Sequence, residues 1–356
     1  IAWAFGTLGV HSEPLMAAIA RQVKADNLLM KMRPQEFVNI IWAFAALNVY
    51  DEFLVAATQD YLLEPHVMRP FNSQDFSNTA WALARLQVRN ETVMAAMGNA
   101  VVGRDLLRSS SVQAVANMAW AYATLRMPHP ILLPELASAA LSPGMLAELN
   151  PQGLCMLAWT FGTLKMKIPP IPELLREISF QAQEPEILET FNAQDVSMLA
   201  WAMSASQRKD KALFQAMADH AVREGGRHLA LFKPREIAVT CWAFAKQGVL
   251  VPELLGTDKV GFAPLLVKNP ELLSGFTNQG IAVTMWSFAH LGHRHDGLFS
   301  TVAEFLVQEN RVDTFNSVDV AMVLWALATL GYRYERLVNA LAERSQVEVV
   351  AKDFSA

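Results

Sequence analysis

The chain has 356 residues, of which 53% are apolar and 18% charged, and its formal net charge is −5. This composition excludes a disordered chain, and the negative charge argues weakly against a protein that grips nucleic acid through bulk positive charge. The longest nearly uncharged apolar stretches, such as 153–164, have roughly a dozen residues, short of the ~18 needed to span a bilayer. We therefore expect no membrane insertion.

Neither linkers nor cysteines divide the chain into separate modules. Cys155 and Cys241 both lie in apolar stretches without a CxxC spacing, so we expect buried thiols in a reducing compartment. No linker rich in Pro, Gly or Ser interrupts the sequence. One continuous array over 1–356 is predicted.

All nine tryptophans share one register. They are Trp3, Trp42, Trp81, Trp120, Trp159, Trp201, Trp242, Trp286 and Trp325. Successive gaps are 39, 39, 39, 39, 42, 41, 44 and 39 residues, and internal similarity at such a period is typical of helical repeat arrays. We predict an all-α, right-handed α-solenoid of about nine two-helix repeats with a period near 39–44 residues.

Each repeat opens on a helix-start signal. In 71–86, FNSQDFSNTAWALARL, the cap-type Asn72 is followed three residues later by Asp75, which is the spacing of a capping box. Phe71 before the cap can pack on the apolar Phe76 as a hydrophobic staple. Closely similar phrases recur in the sixth and ninth repeats.

The rest of each repeat predicts two helices joined by a turn, a helical hairpin. The first helix runs through the Trp to a Leu five residues later in seven repeats, and a Gly or polar residue that suits a left-handed C-cap follows. A second apolar-periodic segment begins about twelve residues after the Trp, as in 15–23 and 213–222. Ala directly follows the Trp in seven repeats, which predicts close packing between neighbouring first helices. Because the residues around them are apolar, the tryptophans are expected in the core.

The ends of the sequence suggest that the repeat pattern continues. One further period after Trp325 predicts a helix start at Phe354, with Ser355 as its cap. At the other end, the chain begins two residues before Trp3 without a helix start. We expect an internal fragment of a longer array, truncated at both ends.

Catalytic and metal-binding motifs are absent from the sequence. It contains no phosphate-binding loop, dinucleotide fingerprint, HExxH, GxSxG or zinc-type cysteine pair. The segment HLGHRH places His290, His293 and His295 within six residues, but no acidic or Cys partner completes a ligand set. We expect no enzyme, no metal and no cofactor.

Positive charge concentrates four to eight residues after each Trp. These windows hold 45 residues with ten Lys or Arg and no Asp or Glu, whereas the 29 Lys and Arg of the whole chain predict about four. First helices of a solenoid are parallel, so their C-terminal ends would align into a basic edge that a phosphate backbone could follow. Compensation of helix dipoles, worth ~0.3–1 kcal/mol each, is the alternative. The candidate backbone-binding residues are Arg85, Arg89, Arg126, Lys165, Lys167, Arg208, Lys209, Lys246, Arg294 and Arg333.

Amides recur on the first helix. The positions seven before, three before, one after and four after the Trp are predicted to share a face, and Gln or Asn occupies many of the first two. Amides can donate to and accept from base edges; they could equally form a ladder that holds neighbouring repeats in register. The candidate base-contacting residues are Asn39, Asn78, Asn117, Gln74, Gln113, Gln152, Gln194 and Gln279.

The repeat F-N-x-Q-[DE]-x(5)-W-A-[FL]-A-x-L resembles the octotricopeptide repeats of algal organelles. It is also similar to the helical repeats of FAST-kinase-like and RAP-domain proteins and of the RNA-editing substrate-binding complex. The resemblance covers essentially the whole chain, although Arg235 and Val318 replace the Gln seven before the Trp.

This resemblance implies an RNA-binding protein of a mitochondrion or chloroplast. Such a protein would bind single-stranded RNA, for instance rRNA or mRNA, and act in RNA stability, processing, translation or ribosome assembly. The alternative is a protein-binding scaffold or structural subunit of a large organellar complex.

Overall fold

A computed structural model describes residues 1–25, 28–64 and 66–347. Every regular element within these residues is helical. They belong to two compact units, Ile1–Ile178 (unit 1) and Ser179–Ala356 (unit 2). Phe354 and Ser355 lie outside the described residues, and the single array over 1–356 stays a prediction.

The first helix of each repeat carries the Trp and packs on the next first helix within its unit. In unit 1 these helices are α1 (Ala2–Leu8), α3 (Pro34–Ala46), α5 (Ser73–Arg85), α7 (Val112–Thr124) and α9 (Pro151–Leu164). In unit 2 they are α12 (Ala193–Ala205), α14 (Pro234–Gln247), α17 (Asn278–His290) and α19 (Ser317–Leu330).

The second helices form the other layer of each unit. They are α2 (Glu13–Ala25), α4 (Glu52–Leu63), α6 (Glu91–Gly103), α8 (Leu132–Ala140), α10 (Ile171–Ala182), α13 (Lys211–Gly226), α15 (Pro252–Leu255) with α16 (Phe262–Lys268), α18 (Asp296–Gln308) and α20 (Glu335–Ser345), and a single turn, α11 (Pro185–Leu188), precedes α12. In unit 1 they contact one another in the order α2, α4, α6, α8. In unit 2 the order of contacts is α13, α15, α16, α18, α20. This confirms a helical solenoid built of hairpins; its right-handedness stays a prediction.

The helix starts have the predicted capping geometry. At α5 the Asn72 Oδ1 accepts a hydrogen bond from the Asp75 amide at 2.9 Å, and the Asp75 Oδ2 accepts one from the Asn72 amide at 2.9 Å. The Phe71 and Phe76 rings are 5.4 Å apart, so the staple is also present. Burial raises the pKa of Asp75, and the hydrogen bond from Asn72 partly offsets this rise. Reciprocal boxes recur at α12 and α19.

The helix ends also repeat. The residue six after the Trp has a positive φ in all nine repeats, between 51° and 73°. Four of these residues are Gly, which adopts this conformation freely. Among the others are Arg126 and Lys165, for which a left-handed backbone costs about 1–3 kcal/mol.

Close packing between first helices explains the small residues around the Trp. The Ser204 hydroxyl, three after its Trp, donates to the Ala243 carbonyl, one after the next Trp, at 3.0 Å. A Cβ placed on Gly6 would lie 3.0 Å from the Ala43 Cα at the equivalent contact in unit 1. The predicted packing is therefore confirmed. The prediction that the residue after the Trp shares a face with the amides is wrong, because in every repeat except the first this residue, such as Ala43 or Ala243, is buried between helices.

Candidate nucleic-acid interface

The outward face of the first helices consists of the positions seven before, three before, at and four after the Trp. In α5, Gln74 and Arg85 are exposed, and Asn78 and Trp81 are partly exposed. The positions between them face α3, α7 or the second helices and are buried, as Phe76 is. This face leaves an indole, two amides and a cation of one repeat accessible to a ligand.

The prediction that the tryptophans lie in the core is wrong. Trp3 and Trp325 are 53% and 44% exposed, and the other seven are partly exposed. The space between the two layers is occupied instead by side chains such as Phe76 and Leu83, both fully buried. The indoles cover the small residues at the contact between neighbouring first helices: a Cβ on Gly6 would lie 3.1 Å from the Trp42 ring.

The Trp side chains of successive first helices form what we term the tryptophan row of each unit, and neighbouring indoles in it lie close together. In unit 1 the Trp42 and Trp81 rings are 6.1 Å apart at an interplanar angle of 28°. In unit 2 the Trp286 and Trp325 rings are 6.3 Å apart, and His290 stacks on Trp286 at 4.6 Å. Each row presents flat aromatic surface along the first helices.

The eight candidate Gln and Asn residues, the amide row, lie on the same outward face as the tryptophan row. All five candidate Gln residues are exposed, and the three candidate Asn residues are partly exposed. Gln74 donates to the Asn78 side chain at 2.9 Å, but both residues belong to α5. Within the described residues no hydrogen bond joins amides of this row in different repeats, so the amides do not form the alternative inter-repeat ladder.

The predicted basic residues lie at the C-terminal ends of the first helices, five in each unit, and form the basic edge of that unit. Nine of the ten are exposed. Arg85, Arg89 and Arg126 make no ion pair with any described residue.

Two residues of the basic edge are already engaged within unit 2. Arg208 is half-buried and lies 3.7 Å from the Asp210 carboxylate. Arg294 donates to Asp296 at 2.9 Å and lies over the Tyr332 ring at 4.6 Å. The hydrogen bond from Arg294 lowers the pKa of Asp296. These two cations contribute less to a free basic surface than Arg85, Arg89 and Arg126.

A sequence model of the RNA-editing substrate-binding complex 6 protein family matches residues 1–254. The chain belongs to the RNA-editing substrate-binding complex 6 protein family. The match spans unit 1 and continues through α14 of unit 2. No curated protein matches the chain. Of the resemblances in the repeat, the one to the RNA-editing substrate-binding complex is confirmed, and those to octotricopeptide and FAST-kinase-like proteins stay predictions.

In this member of the RNA-editing substrate-binding complex 6 protein family, the three clustered histidines have separate roles. His290 stacks on an indole, the His293 Nε2 lies 2.8 Å from the Gly256 carbonyl, and the His295 Nδ1 accepts from the first turn of α18. Within residues 1–25, 28–64 and 66–347 no group of three His, Cys, Asp or Glu could hold a metal ion. None of the described helices combines the length and apolarity that a membrane crossing needs.

Sequence reasoning missed the tryptophans as site residues, although a signal was present in this family member. At 3.6 residues per turn, the positions seven before, three before, at and four after the Trp fall within an arc of about 60°. The two amide positions are polar, so the Trp on the same arc had to lie on a polar face. Counting apolar neighbours concealed this arrangement, because those neighbours face the other helices.

Proposed function

We propose that the chain is a non-enzymatic RNA-binding subunit of an RNA-editing substrate-binding complex, and that it holds single-stranded RNA along the outward face of its first helices. The proposal rests mainly on the partly exposed tryptophan row beside a basic edge. The family to which the chain belongs supports an RNA-associated role. RNA-editing complexes occur in mitochondria, which favours the mitochondrion over the chloroplast.

Each component of the face suits a different part of a nucleotide. Exposed indoles can stack on bases, an interaction worth about 1–3 kcal/mol per base that tolerates any sequence. The amides beside them can bond to base edges. Phosphates would contact the cations of the basic edge, including Arg85, Arg89 and Arg126, and binding would release the counterions condensed on the RNA.

The overall negative charge of the chain is compatible with this proposal. Ten of the 29 Lys and Arg residues lie in the nine windows after the tryptophans, which leaves 19 cations against 34 Asp and Glu elsewhere. Acidic surfaces repel a polyanion, so RNA would be confined to the basic edge and the adjacent outward face. Where the charges lie, rather than the net charge of the chain, decides where RNA can bind.

Protein partners within the same complex would use the second helices. Phe53 of α4 and Phe180 of α10 are 61% and 55% exposed, and exposed aromatic residues are enriched at protein interfaces. This scaffold role uses the other layer of the solenoid and leaves the outward face free for RNA.

Intrinsic tryptophan fluorescence tests RNA binding on this face. We expect titration with a short uridine-rich single-stranded RNA to quench the emission, because bases stack directly on partly exposed indoles. Heparin serves as the control, since it offers anionic groups without bases and should leave most of the emission unchanged. RNA that binds without changing the fluorescence would place the site away from the tryptophan row.

A further inference from the structure

A recess of about 480 Å³ opens between α14 and α17 in unit 2. The indoles of Trp201 and Trp242 line it together with the side chains of Arg235 and Gln279. Its volume lies within the range of about 300–1,000 Å³ that is usual for pockets that hold small molecules. The recess is therefore large enough for a small molecule or one nucleobase.

A glycine, Gly280, occupies the third position of α17 and lines this recess. In α5, α12 and α19 the same position is Asp, and the side chains of Asp75, Asp195 and Asp319 are buried. A Cβ on Gly280 would lie 3.2 Å from the Thr277 hydroxyl oxygen, 3.3 Å from the Phe276 ring and 3.6 Å from the Cβ of Ala238 on α14. In this repeat, therefore, no carboxylate stands at the third helix position beside the recess.

Glycine also occupies the third position of a first helix beside a second recess. Between α7 and α9 in unit 1, a cavity of about 230 Å³ is lined by Gly153, which occupies the third position of α9. Amides from Gln113 and Gln152 also line it. Glycine at this position thus accompanies an opening between first helices in each unit.

The charge at the α14–α17 recess suits a nucleotide. Arg235 stands where most repeats carry Gln, is exposed, and forms no ion pair with any described residue. No Asp or Glu of the described chain lines the recess. Aromatic surface, one amide and one available guanidinium match a base, its polar edge and its phosphate.

We propose that this recess holds one unstacked nucleobase of the bound RNA. Trp201 and Trp242 would contact the faces of the base, Gln279 would hydrogen-bond to its edge, and Arg235 would bind the neighbouring phosphate. The inference rests on the proposed function and adds to it a point at which base identity is read, whereas stacking elsewhere tolerates any base.

A carboxylate at the wall of the recess tests this assignment in the full chain. Gly280→Asp restores the residue that three other repeats carry and can accept the same capping bond. Ala114→Asp is the matched control, because it adds the same charge at the same position of α7. Fluorescence polarisation with labelled single-stranded RNA should give about tenfold weaker binding for Gly280→Asp and little change for Ala114→Asp. On an abasic oligonucleotide of equal length, the two variants should bind alike.

A second variant leaves Gly280 unchanged. Arg235→Gln installs the residue found in most repeats, and we expect weaker RNA binding with a salt slope reduced by about 0.7, the value for one phosphate contact on a single strand. Helical circular dichroism of each variant confirms folding. If Gly280→Asp fails to fold, Arg235→Gln remains as the test, because unchanged RNA binding would overturn the contact between Arg235 and the phosphate of the nucleotide in the recess.

The outcomes separate the recess from the wider proposal. If the unmodified chain binds RNA but Gly280→Asp matches Ala114→Asp, or if its loss is equally large on the abasic oligonucleotide, the recess does not hold a base and the outward face still binds RNA. Unchanged affinity and salt slope in Arg235→Gln would likewise overturn the phosphate contact. If the unmodified chain binds no single-stranded RNA, both proposals fail.

Discussion

Replacing Phe71 with Ala is expected to lower the free energy of unfolding by about 3–5 kcal/mol. The Phe71 side chain is fully buried, and its ring lies 6.3 Å from that of Phe37 and 5.4 Å from that of Phe76. Its removal would leave a cavity between a helix start and the neighbouring repeat. Urea unfolding monitored by circular dichroism measures the loss.

The matched variant is Trp81→Ala, which removes the larger ring from the outward face. We expect less than half the destabilisation of Phe71→Ala, because the Trp81 indole is partly exposed and packs beside Trp42 at the surface. Equal destabilisation by the two variants would mean that the tryptophans belong to the core after all. The tryptophan row would then be lost from the candidate interface.

Changing Arg85, Arg89 and Arg126 together to Gln is expected to weaken single-stranded RNA binding by about two orders of magnitude at low salt. These side chains are exposed at the ends of α5 and α7 and pair with no acidic residue of the described chain. If each cation contacts one phosphate, the slope of log affinity against log salt falls by about 2, or roughly 0.7 per contact. Titrations of labelled RNA at several salt concentrations measure both quantities.

A control triple removes the same charge from the other end of the first helices. Lys31, Arg69 and Arg108 are exposed just before α3, α5 and α7, and their replacement by Gln should change the affinity only slightly. If the two triples weaken binding equally, only the net charge matters. The cations of the basic edge would then serve as helix caps.

Much of the fold can be predicted from local sequence signals at the helix ends. The boxes at Asn72, Asn192 and Asn316 depend on residues three apart, and the left-handed ends at Gly248 and Gly331 depend on one residue each. Such signals act within one turn, so no knowledge of neighbouring repeats is needed to interpret them. Repetition then implies the stacking of hairpins.

The site was harder to predict, because it depends on contacts between repeats. Burial of a Trp is decided by how closely the next first helix approaches, and the sequence of one repeat does not contain that distance. The engagement of Arg294 with Tyr332, from the following repeat, is equally invisible to a local pattern. The recess beside Gly280 lies between α14 and α17, so predicting it requires the relative positions of two helices.

Crosslinking tests RNA binding on the outward face most directly. Single-stranded RNA that carries 4-thiouridine would be irradiated with the full chain, and the crosslinked peptides identified by mass spectrometry. RNA lying on the outward face would give crosslinks to first helices such as α5, α7, α14 and α17, with the tryptophans and amides among the modified residues. Crosslinks confined to second helices such as α4 and α6, or no crosslinks at all, would contradict RNA binding at the tryptophan row and the basic edge.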